Sequence, residues 1–309
     1  APVDPPREEE HAEHRQREQQ LVRERVEPAE PGGVPRRGDS EQEDEAAEGG
    51  GDLRSARAVV VDGVGDDHFE QADRRGERRD EDDDEEDQKA QIVIYSDPWD
   101  SIGWGISPVR LQLKEEYGNQ IQFDDRLVPV REFSSPKETE RYWEKWAPRH
   151  GMPVNTEVWN NNPPESTELA NRAFAAAREQ SIPRAKRFMR RLRTAAIVEG
   201  TNIEDRETLF ALAGNVGLDT AQLEEDWDDV CVRTSVREIE TPKTTIHVDD
   251  ETITQPGLVT ANDLKTPLKR AGLKADDPQS LLGFVGEHGP VALEEVRQVY
   301  NYNKEEALE

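Results

Sequence analysis

Apolar positions recur with two different periods along this chain, and the change of period organises it. Gln91 to Ser96 is a short β-branched apolar run closed by Asp97-Pro98, which predicts a buried central strand. A loop holding Gly103 and Gly105 follows. Pro108 then stands at a natural first helical position, Val109, Leu111, Leu113 and Tyr117 supply one apolar face, and Gly118-Asn119 ends the helix. Gln120 to Val130 alternates through Ile121, Phe123, Leu127 and Val130, as a second strand does.

From Ser135 the period becomes helical for almost a hundred residues. Pro136 to Arg149, Ser166 to Gln180, Pro183 to Val198, Asp205 to Asn215 and Thr220 to Val230 each carry a start signal or an apolar stripe, with Ser166 and Thr201 as caps and Gly200 and Gly217 as stops. Strand character returns at Thr244 to Val248 and Thr252 to Thr254 around an Asp249-Asp250-Glu251 turn, and Leu264 to Ala271 closes the unit. Short helices are predicted at Pro278 to Glu287, at Leu293 to Tyr300 and from Lys304. The fold class is therefore α/β, a sheet interrupted by an all-helical insertion.

Residues 1–88 do not fit either period. They hold 30 acidic and 13 basic side chains, leaving 38 against 27 for the remainder of the 309-residue chain. All six Trp and all five Tyr lie after residue 88. Such a segment cannot bury enough apolar surface to offset the entropy of ordering, so a disordered acidic tail is expected. Its thirteen Arg and no Lys are compatible with upstream sequence joined to a domain that begins near Lys89. The organisation expected is a tail at 1–88, an α/β domain at 89–274 with its helical insertion at about 135–230, and a small helical appendage at 275–309.

The single cysteine, Cys231, excludes an internal disulfide and any multi-thiolate metal site. His150, His247 and His288 show no metal-ligand spacing, so neither metal nor cofactor is expected. A net charge of −28 argues against nucleic acid. No apolar run approaches a membrane span, and a cytoplasmic location is expected. The surplus of acid even on the folded part suggests a salt-adapted, halophilic surface. Arg184, Lys186, Arg187, Arg190, Arg191 and Arg193 read as a solvated basic helix face.

The segment Asp97-Pro98-Trp99-Asp100-Ser101-Ile102-Gly103-Trp104-Gly105-Ile106-Ser107-Pro108 is the most informative. A strand end that leads through a loop into a helix N-terminus presents N–H groups and a positive dipole end to an anion or thiolate. The run Asp97-Pro98-Trp99, Trp104-Gly105 and Pro108, the Tyr117-Gly118 helix end, and later Gly151-Met152-Pro153-Val154, Glu199-Gly200-x-Asn202-Ile203 and Val216-Gly217-Leu218-Asp219 resemble the DsbA-like branch of the thioredoxin superfamily, in particular the FrnE-like dithiol-disulfide isomerases. The resemblance covers residues 90–272 and implies a thioredoxin-like fold with protein-disulfide oxidoreductase activity. It also implies a Cys-x-x-Cys motif, whose two cysteines would fall on Asp100 and Gly103.

With both cysteines replaced, the expectation is a redox-inactive copy that at most binds an extended peptide or a protein partner, with Trp99, Trp104, Thr241 and Pro242 as its substrate-binding residues. In the family a cis-proline, here Pro242 after Thr241, faces the motif loop. Two alternatives accompany this. One is an active oxidoreductase in which positions 100 and 103 are substituted or misread. The other, by resemblance to kappa-class glutathione transferases and 2-hydroxychromene-2-carboxylate isomerases, places a glutathione thiolate on Ser101; Asp100 opposes it by charge.

Overall fold

A computed structural model describes residues 89–228 and 243–308. The expected tail, Cys231, Thr241 and Pro242 lie outside these residues. In chain order the elements are β1 (Ala90–Ser96), α1 (Ser101–Gly105), α2 (Ser107–Tyr117), β2 (Ile121–Leu127), α3 (Pro136–His150), α4 (Val158–Asn161), α5 (Glu168–Gln180), α6 (Ile182–Arg193), a π-helical segment (Thr194–Val198), α7 (Arg206–Gly214), α8 (Thr220–Asp226), β3 (Lys243–Val248), β4 (Glu251–Pro256), α9 (Ala261–Arg270), α10 (Leu281–His288) and α11 (Leu293–Tyr300). No helix among the described residues is long and apolar enough to cross a membrane.

The four strands form one sheet in the order β2-β1-β3-β4. β1 pairs with β2 in parallel, Ile92 opposite Phe123, and with β3 antiparallel, Ile92 opposite Ile246. The parallel pair needs a crossover helix, which α2 supplies, whereas β3 and β4 need only the two-residue turn Asp249-Asp250. With successive side chains alternating between faces, Ile92, Ile94, Phe123 and Ile246 line one face and pack with Leu113 of α2 and with Leu264 and Leu268 of α9. The edge of β2 is covered, because the Arg178 guanidinium of α5 donates to the Asp125 carbonyl and to Asp124 Oδ1 at 3.0 Å.

The helical lobe has its own core, in which Phe188, Met189 and Leu192 of α6 meet Phe174, Ala176 and Ala177 of α5. Trp99, from the turn after β1, belongs to this second core rather than to the sheet's. That turn therefore sits where the two cores meet.

Several boundaries differ from those the pattern predicts. The loop holding Gly103 and Gly105 is helix, since α1 starts at Ser101 and carries both glycines inside it. β2 stops at Leu127 rather than Val130. The N-cap of α7 is Asp205, whose side chain accepts from Thr208 N, rather than Thr201, and α5 begins at Glu168. The stretch from Lys304 forms turns, not a helix. α11 spans the predicted Leu293 to Tyr300, and Gly200 and Gly217 have the positive φ of helix stops (68° and 77°).

The segment after α9 folds back onto the first half of the chain. Phe284, Val296 and Val299 enclose Leu111 of α2. Glu295 is fully buried and receives two guanidinium bonds from Arg190 of α6, at 2.7 and 2.9 Å. Gly151 ends α3 at φ 70°, and the space a side chain would take there is filled by the Glu294 carboxylate.

Candidate functional site at the turn after the first strand

Asp97, Trp99 and Asp100 follow directly on the buried strand β1, and the chain must turn within four residues to enter α1. Two carboxylates make that turn. Asp97 Oδ1 accepts from Trp99 N at 2.8 Å, and Asp100, the N-cap of α1, accepts from Ile102 N at 3.0 Å through Oδ1. This leaves the other oxygen of each for tertiary contacts.

Asp100 Oδ2 accepts a 2.7 Å bond from Ser96 Oγ, and Ser96 Oγ in turn accepts from Arg193 Nη2, also at 2.7 Å. The same guanidinium reaches the Asp97 and Gly103 carbonyls at 3.4 Å. Arg131, in the segment after β2, donates through Nε to Asp97 Oδ2 at 2.9 Å, with Nη2 2.7 Å from that oxygen. Two carboxylates and two guanidiniums thus share a site in which Asp97, Asp100 and Arg193 are all buried. Burial and the neighbouring Asp97 push the Asp100 carboxyl above its usual range, against the pull of Arg131, Ser96 and Arg193. Burial also lowers the Arg193 guanidinium, which stays charged because its ordinary value is so high.

Gly103 is the residue this network requires. A Cβ placed on it would lie 2.1 Å from Ser96 Oγ and 2.9 Å from both Arg193 Nη2 and Asp100 Oδ2. Gly105 is equally tight, with the His150 ring 2.6 Å from where its Cβ would be. His150 is itself buried and accepts from Met152 N through Nδ1, so the proton rests on Nε2, and burial drags its pKa down to about 4.

Both tryptophans of the segment are buried, 1% and 3% exposed. Trp99 is packed at 5.6 to 6.3 Å from Trp159, Phe133 and Trp143, and Trp104 donates through Nε1 to the Pro153 carbonyl with the Arg190 guanidinium over its ring at 5.6 Å. Neither ring face is open to a peptide. Ser101 Oγ is fully buried without a hydrogen-bond partner, next to the Asp100 carboxylate. The structure thus brings Trp99, Asp100, Ser101, Gly103 and Trp104 into one closed turn, while Thr241 and Pro242 lie outside the described residues.

A second ionic group lies behind the first. Asp125 of β2 is buried and ion-paired to Arg110 at 2.8 Å; burial raises its carboxyl, but Arg110 and the more distant Arg193 and Lys186 outweigh that and hold it below the usual range. Four of the six α6 cations are therefore not part of a solvated face, while Arg187 is exposed. Arg193 enters the site, Arg190 holds Glu295, Arg191 pairs with Glu199 at 2.9 Å, and burial together with Arg110 lowers Lys186 to about 8.

Ser96, Arg131 and Arg193 are the residues that sequence reasoning misses. A signal existed for Arg193, because it falls on the stripe Ala185, Met189, Leu192 and Ala196, all buried, where a charge has no place without a partner. Arg131 has no such signal, lying in an irregular segment.

Among the described residues one group has metal-ligand character. Glu115, Glu287 and His288 offer ligand atoms within 4.8 Å of one another. Their oxygens are already engaged by Gln279 and Lys114, and His288 Nε2 lies 2.8 Å from Glu115 Oε1.

A parallel β1–β2 pair, an antiparallel β3–β4 hairpin and a motif turn opening a helix define a thioredoxin-like fold. Residues 93–241 match the family model described as Thioredoxin. Two curated relatives carry the name ClpXP adapter protein SpxH. That of Bacillus subtilis (strain 168) is 29% identical over 142 residues, covering 44% of this chain and 48% of the relative. That of Halalkalibacterium halodurans is 24% identical over 149 residues with the same shares. The chain thus spans about half the length of the curated relatives it matches. A crystal structure from Nitrosomonas europaea, assigned by its description to the protein disulfide isomerases, shares the fold with a TM-score of 0.50 and 16% identity, over 59% of this chain and 98% of that one.

Proposed function

We propose that this chain is a redox-inert DsbA-like protein that acts by holding a protein partner, in the manner of an adapter. The observation that carries the reading is at Gly103. The position that a resolving cysteine's Cβ would take is crowded by the Ser96 hydroxyl at 2.1 Å and by the buried Arg193 guanidinium at 2.9 Å. Thiol–disulfide exchange needs an accessible thiolate and a second thiol to resolve the mixed disulfide. Here the first position is a buried carboxylate and the second has no room for a side chain.

The relatives named ClpXP adapter proteins favour the partner-binding half of the reading. A cytoplasmic site of action belongs to the same proposal.

Insulin reduction by the full chain with dithiothreitol tests the first half, with no acceleration over dithiothreitol alone expected. Acceleration by the unmodified chain overturns the proposal. The variant Ser96→Ala/Asp100→Cys/Gly103→Cys, which frees the space before adding sulfur, reports whether the remaining scaffold supports exchange. Surface plasmon resonance of the chain against purified ClpXP from the same organism tests the second half, with saturable binding expected.

A further inference from the structure

The motif turn is closed, so a partner must be held elsewhere. Among the described residues six large apolar side chains are exposed: Tyr142, Ile182, Leu281, Leu282, Tyr302 and Leu308. Four of the six are carried by the appendage that follows α9, residues 276–308, and Leu282 is 88% exposed.

Helix α10, Leu-Leu-Gly-Phe-Val-Gly-Glu-His, is apolar nearly all round. Phe284 points into the appendage core and is fully buried, which at roughly 100° per residue turns Leu282 to the opposite side of the helix, while Leu281, three residues back, lies at the margin of the Phe284 face and is 39% exposed. A helix hydrophobic on every side is ordinarily buried on every side. The turns after α11 bring a second apolar edge to the same unit, because Ala307 packs on the cluster around Phe284, next to exposed Leu308. Tyr302 stacks on Tyr300 at 5.5 Å, and Tyr300 is edge-on to Phe284 at 5.7 Å.

The charge of this unit is one-sided. Residues 276–308 carry seven carboxylates against Arg297 and Lys304. The carboxylates of Glu287, Glu294 and Glu295 are taken by Lys114, Arg297 and Arg190. Asp276, Asp277, Glu305 and Glu306 stand exposed in sequence beside the exposed leucines. An apolar ridge rimmed by acid fits an apolar partner rimmed by base.

We infer that the Leu281–Leu282 and Leu308 surface of the C-terminal appendage is a docking site for an amphipathic, Lys- or Arg-flanked helix of a partner protein. This rests on the partner-binding reading and gives it a location outside the motif turn. The appendage is tied to the domain through Arg190–Glu295 and through the Phe284 core, so it presents the ridge on a fixed base.

The probe is a fluorescein-labelled synthetic amphipathic peptide of leucine and lysine, titrated with the full chain and followed by anisotropy. A serine–lysine peptide of equal charge is the control for plain attraction to the acidic protein. The leucine–lysine peptide is expected to bind at least tenfold more tightly than the control, and Leu282→Ser with Leu308→Ser is expected to remove that tenfold preference. Both side chains are exposed, so circular dichroism of the variant should match the parent. Equal binding of the two peptides, or an unchanged preference in the variant, overturns the inference. So does a concentration-dependent dimer that Leu282→Ser abolishes, since the occupant would then be a second copy of the chain. Redox activity with an intact peptide preference would overturn only the reading of the previous subsection, and a redox-inert chain without that preference would overturn only this one.

Discussion

Arg193 and Gly103 exclude a side chain from each other's space: the Arg193 guanidinium lies 2.9 Å from where a Gly103 Cβ would stand and donates to the Gly103 carbonyl at 3.4 Å. The first expected outcome follows. Gly103→Ala gains roughly 1 kcal/mol of helix propensity, yet it overpacks a buried network and is expected to lower stability by about 1–3 kcal/mol net. Ser96→Ala in the same chain removes the 2.1 Å contact and should recover part of the loss. Urea unfolding of the two variants measures it, and a Gly103→Ala protein as stable as the parent would contradict the crowding.

Arg193 also neutralises buried carboxylates. Arg193→Met keeps much of the volume and removes the guanidinium that reaches Asp100 through Ser96 Oγ, so a loss of about 3–5 kcal/mol is expected. Asp100→Asn in the Arg193→Met background should return part of it, and a double-mutant cycle with no coupling would show that the two do not act together.

The raised Asp100 carboxyl has a definite sign in a pH titration. Its folded pKa lies above the unfolded one, so the folded state keeps a proton that the unfolded chain releases, and stability declines as pH rises above the ordinary carboxylate range. Asp100→Asn keeps an N-cap and removes the titration. The difference in Tm, variant minus parent, is therefore expected to grow between pH 4 and 8; a flat difference would refute the assignment.

His150 acts in the opposite window. Its folded pKa of about 4 against an ordinary 6.5 means that the unfolded chain takes up a proton first, and stability falls as pH drops from 6.5 to 4. The full effect is on the order of 3 kcal/mol. His150→Asn retains an acceptor for Met152 N and should flatten this acid limb, as thermal melts across the range would show.

Glu295 tests the anchoring of the appendage. Its buried carboxylate accepts two bonds from Arg190 and one from Ala292 N. Glu295→Ala is expected to cost about 2–4 kcal/mol and to raise hydrogen exchange in α10 and α11 before that in β1. Uniform exchange across both would show that the appendage does not open separately.

How far the sequence spoke depends on whether an element is governed by its own residues. β1 announces itself through Ile92, Val93 and Ile94, and α11 through its stripe Val296 and Val299. α1 does not, because two glycines in five residues read as loop, while the structure makes them helix through the Asp100 cap and through close packing of Ser96 and His150 on the glycines. That preference is tertiary, and no local pattern contains it. The absence of sulfur at 100 and 103 was legible at once. The ionic network in its place was not, since Ser96, Arg131 and Arg193 are joined by the fold and by nothing in their spacing.

The indoles of Trp99, Trp143 and Trp159, which come from the motif turn, α3 and α4, lie 5.0 to 6.3 Å apart in one dry cluster at the meeting of the two cores. Transition dipoles at that separation couple, and their combined optical activity depends on mutual orientation rather than on any one ring. The protein therefore carries its own unlabelled gauge of the motif turn: near-ultraviolet circular dichroism and tryptophan emission would change together if a partner pried the turn open, and would stay still if it docked on the leucine ridge alone.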